Sequence, residues 1–250
     1  MNQDLPVSVS TDMATDVAEL ARRYKRANGP VIRLVNRLGG TLEAQLSALP
    51  DSLRTQLERV TTQALETSYG LAGRAPDLGQ RGPMMAAMAA GAAGGAGGLA
   101  TSLAELPVTV TLLLNTIRAA ARDAGFDPDD DEVRAECLQV FAAGSPLAQD
   151  DGVNTSFIAS RLALTGSAVQ NLIATIAPKL AVVLGQKLAA QAVPVIGAVS
   201  GAALNAAFLS YYRDVAQVRF ALLNLAKVHG TDAVEAEFRI AVTPSKVIRA

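Results

Sequence analysis

One stretch of the chain restricts its fold more than any other. Between Arg81 and Arg118 there is a single charge, Glu105, and the first part of the stretch is almost wholly Ala, Gly and Met. A segment without charges has no polar face to present to water, so it must lie against another apolar surface. Because Ala and Gly bury at most one methyl group each, such segments are held by close packing of helices rather than by large side chains.

Glycines recur four residues apart in this stretch and in a second charge-free stretch, residues 188–212. Residues spaced by four share one face of a helix, and glycine on that face lets a neighbouring backbone approach closely. Since each helical glycine costs about 0.5–1 kcal/mol relative to alanine, tight packing, a bend or a molecule bound against the bare backbone must offset this cost. We expect the two helices to pack against each other through Gly91, Gly94, Gly95, Gly98, Gly197 and Gly201.

Apolar residues along most of the chain recur at helical spacing, and alternation with a period of two is too short to predict a strand. We therefore predict an all-α fold, a multi-helix globular bundle with the Gly/Ala-rich helices at its centre. Pro107 is expected to open one helix, which stops at Gly125, and the acidic residues 127–132 to open the next. The last long helix is expected to end at His229, with a packing stripe of Leu204, Phe208, Tyr211, Val215, Val218, Leu222 and Leu225.

The composition changes along the chain and suggests its organisation. We expect a disordered tail over residues 1–11 and basic amphipathic helices over residues 12–70, the first beginning at a Thr11/Asp12 cap and two short ones within residues 30–49. A helical core follows over residues 83–240, with residues 30–82 packed on it, and a tail over residues 241–250. The N-terminus has no apolar segment typical of a secretory signal, which favours a cytoplasmic location.

Both charge-free stretches reach the length of a membrane span. In residues 84–104 only two leucines favour insertion strongly, worth about -1 kcal/mol, and in residues 188–212 the favourable residues give roughly -3 to -4 kcal/mol. Glycines oppose insertion of the first window, and Gln191, Pro194 and Asn205 oppose that of the second. We therefore favour buried, close-packed helices over membrane spans.

Several classes of site are excluded by composition. One His and one Cys leave no set of side chains for a Cys/His metal centre or a disulfide, so we expect no metal and no cofactor. The net charge of -1 and the few aromatic residues disfavour a nucleic-acid partner. The match of residues 95–100 to a dinucleotide-binding pattern lacks the preceding strand that this motif requires.

A basic segment stands out near the N-terminus. Residues 22–42 contain six basic residues, no acidic one, and apolar residues interleaved with them. Such a segment can lie on an anionic membrane, or its charges can pair with acids elsewhere in the fold, and both alternatives stay open. The membrane-surface candidates are Arg22, Arg23, Lys25, Arg26, Arg33 and Arg37.

A few polar residues lie within the apolar regions, where a charge requires a partner. Glu105 is expected to pair with Arg118, Lys187 or Arg213. The polar residues form either a structural buried pair or the polar anchors of an apolar ligand cavity. The cavity candidates are Glu105, Asn115, Arg118, Asn205, Arg213 and Asp214.

Three blocks of the sequence together resemble the EcsC protein family: the helix pair around residues 42–64, the Gly/Ala block from Ala89 to Asp127, and the block from Val193 to Asn205. The resemblance implies a helical bacterial protein linked to membrane transport or secretion, without a known catalytic set. We expect a non-enzymatic accessory protein, peripheral at the inner membrane, that binds a bilayer, a lipid or another hydrophobic ligand. The alternatives are an interaction module that docks a transporter component, and an enzyme with an acidic general base.

Overall fold

In a computed structural model the chain is described over residues 7–27, 51–70, 82–96, 98–143, 166–191 and 197–243. These ranges contain eight α-helices, one short 3₁₀-helix and no strand, which confirms the predicted all-α fold. The short helices predicted within residues 30–49 lie outside them. The helices are α1 (Val7–Arg26), α2 (Asp51–Gly70), α3 (Gly82–Ala96), α4 (Gly98–Asp123), α5 (Asp131–Gln139), α6 (Gly166–Gln191), α7 (Gly197–His229) and α8 (Thr231–Val242), and the 3₁₀-helix spans Val140–Ala143.

The longest helix, α7, lies at the centre of the bundle. Its 33 residues extend over about 50 Å and pack against α1, α3, α4 and α8. The predicted stripe is confirmed, because its members from Leu204 to Leu222 are buried and Leu225 is partly buried against the core. Spacing of four and three residues therefore keeps one face of α7 in contact with its neighbours along most of its length.

Helices α3 and α4 form a helical hairpin that packs on α7. The inner face of α4 carries large apolar residues that are buried, whereas the buried residues of α3 over residues 82–94 are small and Met84 is only partly buried against the core. Helix α2 packs on α4 and α6, and α1 pairs with α8 beside α7. The buried apolar residues of α4 include Leu106, Val110, Leu113 and Ile117.

The expectation that Pro107 opens a helix is wrong. Helix α4 begins at Gly98, and Pro107 lies inside it. Proline within a helix removes one backbone hydrogen bond and costs about 3 kcal/mol. Pro107 is exposed, while Leu106 and Val110 on either side of it are fully buried. Burial of these flanking residues offsets the local cost, at about 1.5–3 kcal/mol for each large apolar side chain.

The first helix also begins earlier than predicted. Helix α1 starts at Val7, within the expected tail, rather than behind a cap at Thr11 and Asp12. The intervening residues are Ser, Val and Thr, whose helix propensities lie only a few tenths of a kcal/mol below that of alanine. A capping residue type is therefore compatible with the interior of a helix, and here Ser10 and Thr11 continue it.

The predicted helix ends at glycine are confirmed. Gly125 has a φ of +83°, and the amide of Phe126 donates to the carbonyl of Ala121, which closes the C-terminus of α4. Gly230, with a φ of +85°, separates α7 from α8. Only glycine adopts this left-handed conformation without steric cost, so these two residues set where the helices turn.

Candidate functional site

The predicted contact between the two glycine-bearing helices is present. Gly91 of α3 lies so close to Gly201 of α7 that a β-carbon on Gly91 would stand 2.6 Å from the Gly201 carbonyl carbon and 2.8 Å from Nδ2 of Asn205. Any side chain here would collide with backbone, so one of the two helices would have to shift. Gly95 lies in α3, Gly98 in α4 and Gly197 in α7. The packing of these three residues falls outside the described part of the structure.

A second glycine of α3 accommodates the buried acid. A β-carbon on Gly94 would overlap Oε2 of Glu105 and lie 3.0 Å from its carboxyl carbon. Gly91 and Gly94 are one turn apart, so they share a face of α3. That face receives the backbone of α7 at Gly91 and the Glu105 carboxylate of α4 at Gly94.

Glu105 lies at the centre of a buried polar cluster that joins three helices. Its Oε1 atom accepts hydrogen bonds from Thr109 Oγ1 at 2.9 Å, Lys187 Nζ at 2.9 Å and Asn205 Nδ2 at 2.5 Å. Lys187 Nζ also donates to Thr109 Oγ1 at 3.4 Å. All four side chains are buried, and that of Lys187 is fully so. We call Glu105, Thr109, Lys187 and Asn205 the Glu105 cluster.

Lys187 is therefore the partner of Glu105 among the three basic residues considered from the sequence. Burial lowers the pKa of Lys187, while the charge of Glu105 and the hydrogen bond to it raise this pKa in part. The ion pair removes two charges from an otherwise apolar interior, where either alone would be strongly destabilising. Thr109 was not anticipated, although its position four residues after Glu105 places both on one helical face.

Asn205 extends the cluster to α3. Its Nδ2 atom donates to the carbonyl oxygen of Ala87 at 2.8 Å as well as to Glu105. One side chain of α7 thus holds both arms of the hairpin. Within the described part of the chain, neither Oδ1 of Asn205 nor Oε2 of Glu105 has a hydrogen-bond partner. A buried acceptor without a donor costs free energy, so the cluster is incompletely satisfied.

The six cavity candidates do not form one site. Only Glu105 and Asn205 come together. Arg118, about 20 Å further along α4, donates to the carbonyl of Pro128 at 2.9 Å and to Asp129 at 2.6 Å. Asn115 is half-buried on α4, and Arg213 is exposed on α7. Asp214 is half-buried and pairs with Arg23 at 3.1 Å.

The basic residues of α1 divide into two pairs. Arg23 and Lys25 contact the bundle, since Arg23 bonds Asp214 and Gln217 of α7, and Lys25 donates to the carbonyl of Ala241 at 2.9 Å. Arg22 and Arg26 are exposed, and their described hydrogen bonds go to carbonyl oxygens of α1 itself. Arg33 and Arg37 lie outside the described residues.

The remaining reactive side chains have structural surroundings. Cys137 is buried in the core, and burial raises the pKa of its thiol to about 12. His229 is the last residue of α7, as expected for a residue at a helix C-terminus. Among the described residues, no group of His, Cys, Asp or Glu is arranged to hold a metal ion.

The outer side of the hairpin is apolar and free of charge. Met85 is 67% exposed, Met88 40% and Val108 51%. Helix α3 contains no charged residue, and the one charge in the first half of α4, Glu105, is directed inward to Lys187. We call this surface the hairpin face; its exposed residues are Met85, Met88, Ala89 and Ala93 of α3 and Ala104, Pro107 and Val108 of α4.

Within the described ranges, one segment is long and apolar enough to cross a bilayer by length and composition alone. It is Leu103–Asp123 of α4, and 61% of its apolar window is buried in the bundle. It differs from both windows considered from the sequence. The inner face of α4 belongs to the core of the fold, while Val108 faces outward.

Comparison with known proteins supports the resemblance of the three sequence blocks to the EcsC protein family. The model of the EcsC protein family matches residues 41–222, which include the hairpin, the Glu105 cluster and most of α7. No curated protein matches the chain. No solved structure matches it. Because the family model spans well over half of the chain, this protein belongs to the EcsC protein family.

Proposed function

We propose that this protein is a non-enzymatic accessory of bacterial membrane transport or secretion that associates peripherally with the inner membrane through the hairpin face. The observation that carries the proposal is the charge-free exposed surface of α3 and α4. Exposed apolar patches rimmed by polar surface are typical of sites that meet another apolar surface. A bilayer accepts such a face at little cost, because no charge has to leave water.

The expected strength of this association is modest. Burying a Met or Val side chain completely is worth about 1.5–3 kcal/mol, and the three large residues of the hairpin face are roughly half exposed. Met85, Met88 and Val108 together therefore contribute about 3 kcal/mol, with the alanines adding to it. An anchor of this size gives reversible binding, as expected for a peripheral protein.

The internal arrangement of the hairpin supports the same proposal. Glu105 would be costly at a membrane surface if it faced outward. It instead lies against Gly94 and is neutralised by Lys187 beneath the hairpin face. The outer surface therefore stays uncharged while the acid is held inside.

Flotation with vesicles of neutral phosphatidylcholine tests the proposal. Met85→Asp with Val108→Asp places two charges on the hairpin face and should abolish binding of the parent protein. The matched control is Val228→Asp with Ile240→Asp, which changes apolar residues of α7 and α8 that are at least as exposed and should leave binding unchanged. Absence of binding by the parent protein, or equal loss in both variants, would contradict the proposal.

A second candidate function uses the same face to dock a transporter component. The flexible thioethers of Met85 and Met88 can adapt to a protein surface as well as to lipid. This candidate predicts that a purified transporter component binds the parent protein but not the Met85→Asp/Val108→Asp variant, while vesicles bind neither. An enzyme with an acidic general base is the less favoured alternative, because Glu105 and Asp214, the acids among the cavity candidates, are each held in an ion pair.

A further inference from the structure

Helix α3 is attached to the bundle differently from its neighbours. Over residues 82–94 its buried residues are Ala87, Gly91 and Gly94, none of which has a side chain larger than a methyl group, and Met84 packs on the core only partly buried. Helix α4, by contrast, buries Leu106 and Leu113 among others. Since hydrophobic stabilisation grows with the apolar area buried, α3 gains less from burial than α4 does, and more of its attachment depends on backbone contact and hydrogen bonds.

Asn205 supplies a hydrogen bond that ties α3 to α7. It donates to the carbonyl oxygen of Ala87 at 2.8 Å, and the same nitrogen donates to Glu105 of α4. At Gly91 the backbones of α3 and α7 touch directly, beside the same nitrogen atom. Asn205 therefore lies where α3, α4 and α7 meet.

The closed arrangement also carries a cost at this point. Among the described residues, Oδ1 of Asn205 and Oε2 of Glu105 accept no hydrogen bond, although both side chains are more than nine-tenths buried. Water would satisfy both atoms if α3 moved away. Two opposed contributions thus act on α3: hydrogen bonds and close packing hold it, and unsatisfied acceptors beneath it favour release.

We propose that Asn205 is a latch on α3, and that release of α3 from α7 strengthens binding to a bilayer by adding the inner side of α3 to the hairpin face. The second half of this inference rests on the function proposed above. Helix α3 suits the role because it consists only of Gly, Pro, Met and Ala, so its inner side is as free of charge as its outer side. A released α3 presents an uncharged helix to the lipid interface.

Asn205→Ala tests the latch in the protein alone. The variant removes the bonds to Ala87 and Glu105 and also the unsatisfied Oδ1 atom, while Lys187 and Thr109 still satisfy Oε1 of Glu105. Hydrogen exchange of the amides of α3 should become about tenfold faster, because local opening becomes more frequent. Unchanged exchange in α3 would overturn the latch.

A matched control lies on the same helix. Asn224 of α7 also donates from Nδ2 to a backbone carbonyl, that of Ala124, at 2.9 Å. Asn224→Ala removes a bond of the same kind at the far end of α7 and should leave exchange in α3 unchanged. Equal acceleration of α3 by the two variants would show general destabilisation instead of a latch.

A second variant opens the contact without removing Asn205. Gly91→Ala places a β-carbon against the Gly201 backbone, so α3 must shift outward. Exchange in α3 should again become faster, and circular dichroism checks that the helices remain formed. If Gly91→Ala leaves exchange in α3 unchanged while the helices remain formed, α3 does not open at this contact and the latch is overturned.

Vesicle titration separates the latch from the proposed membrane function. When the open state binds more tightly than the closed one, a larger open fraction raises the apparent affinity, so Asn205→Ala should reach half-saturation at up to about tenfold less phosphatidylcholine than the parent protein and Asn224→Ala. If no protein binds vesicles but α3 exchanges faster in Asn205→Ala, the latch stands and the membrane function fails. If the parent protein binds and Asn205→Ala neither binds more tightly nor exchanges faster, the membrane function stands and the latch fails.

Discussion

Glu105 and Lys187 form an ion pair with 2.9 Å between Oε1 and Nζ, inside a bundle that leaves the lysine side chain without any exposed surface. The two residues come from helices α4 and α6 and are separated by 82 positions in the chain. Such a pair contributes less to stability than its short distance suggests, because both charges lose their hydration. Its main effect is to penalise any packing in which one partner is buried without the other.

A double-mutant cycle tests this view of the pair. Glu105→Leu and Lys187→Met should each lower the free energy of unfolding by about 3–5 kcal/mol, because each leaves a buried charge without its partner. The double variant should recover most of that loss. Urea unfolding of the four proteins gives the coupling energy, and the partly exposed pair Arg23 and Asp214 serves as the control, with a coupling below about 1 kcal/mol. Additive losses at Glu105 and Lys187 would contradict the prediction.

Gly91→Ala should lower the free energy of unfolding by about 1–3 kcal/mol, although alanine is the better helix former. The reason is the Gly201 backbone, which a β-carbon at position 91 would meet. Ala93→Leu, on the exposed side of the same helix, is the control and should change stability by less than about 0.5 kcal/mol. Thermal unfolding measures both, and an unchanged midpoint for Gly91→Ala would disprove the close contact.

Cys137 should make the protein less stable in alkali. Its pKa is raised from 9.0 to about 12 in the fold, so above pH 9 the unfolded chain loses the thiol proton while the folded protein keeps it. The stability from this residue is complete below pH 9 and is lost as the pH rises toward 12, by up to about 1.4 kcal/mol per pH unit.

Urea unfolding at intervals from about pH 8.5 to about pH 10 measures this effect. The free energy of unfolding should fall more steeply for the parent protein than for Cys137→Ala. The pKa values of Tyr24, Tyr69, Tyr211 and Tyr212 are also raised from 10.0, but both proteins contain these tyrosines, so their contribution cancels in the comparison. Burial lowers the pKa of Lys187, which gives a rise of stability with pH, but this contribution is common to both proteins and cancels in the comparison. Parallel pH profiles would be the contrary result.

The two pairs of basic residues on α1 should behave differently. Arg22→Gln with Arg26→Gln should leave stability within about 0.5 kcal/mol of the parent, because both side chains are exposed and their hydrogen bonds within the described residues go to their own helix. Arg23→Gln with Lys25→Gln should lower it by up to about 1 kcal/mol, through lost contacts to α7 and α8.

The same variants test the membrane-surface hypothesis for α1. On vesicles containing phosphatidylglycerol, loss of Arg22 and Arg26 should weaken binding by about 1 kcal/mol per residue at low salt. On phosphatidylcholine alone the parent protein and the Arg22→Gln/Arg26→Gln variant should bind equally. Equal binding of these two proteins to the anionic vesicles would show that Arg22 and Arg26 are only solvated and do not contact lipid.

Local features of the chain predicted the helices and where they end. The stripe of α7 can be predicted because a helix with one buried face repeats its apolar residues every three or four positions. Gly125 and Gly230 mark turns that only glycine makes without strain. At Pro107 prediction from local features fails. Its preference for a helix start is local, and burial of its neighbours Leu106 and Val110 outweighs it.

The sequence predicts that a buried acid pairs with a basic residue, but not which residues form the pair. An acid in a charge-free stretch must have a partner, and glycines four apart must meet a neighbour, so Glu105 and Gly91 were identifiable from the sequence. The sequence does not distinguish Arg118, Lys187 and Arg213 as partners of Glu105, because their distances from it depend on how the helices pack. Lys187 pairs with Glu105 because α6 packs on α4 there, while Arg118 is engaged by Asp129 and Arg213 faces solvent.

The sequence by itself determined that this protein is a helical bundle with close-packed small residues, since those properties depend on spacing and side-chain size. Tertiary structure alone decided that Glu105, Lys187 and Asn205 meet beneath α3, and that the opposite side of α3 and α4 stays exposed and uncharged. The physical reason is that pairing between distant helices depends on how all their faces fit together. No local pattern contains that information, because each helix offers several faces and the complete packing selects among them.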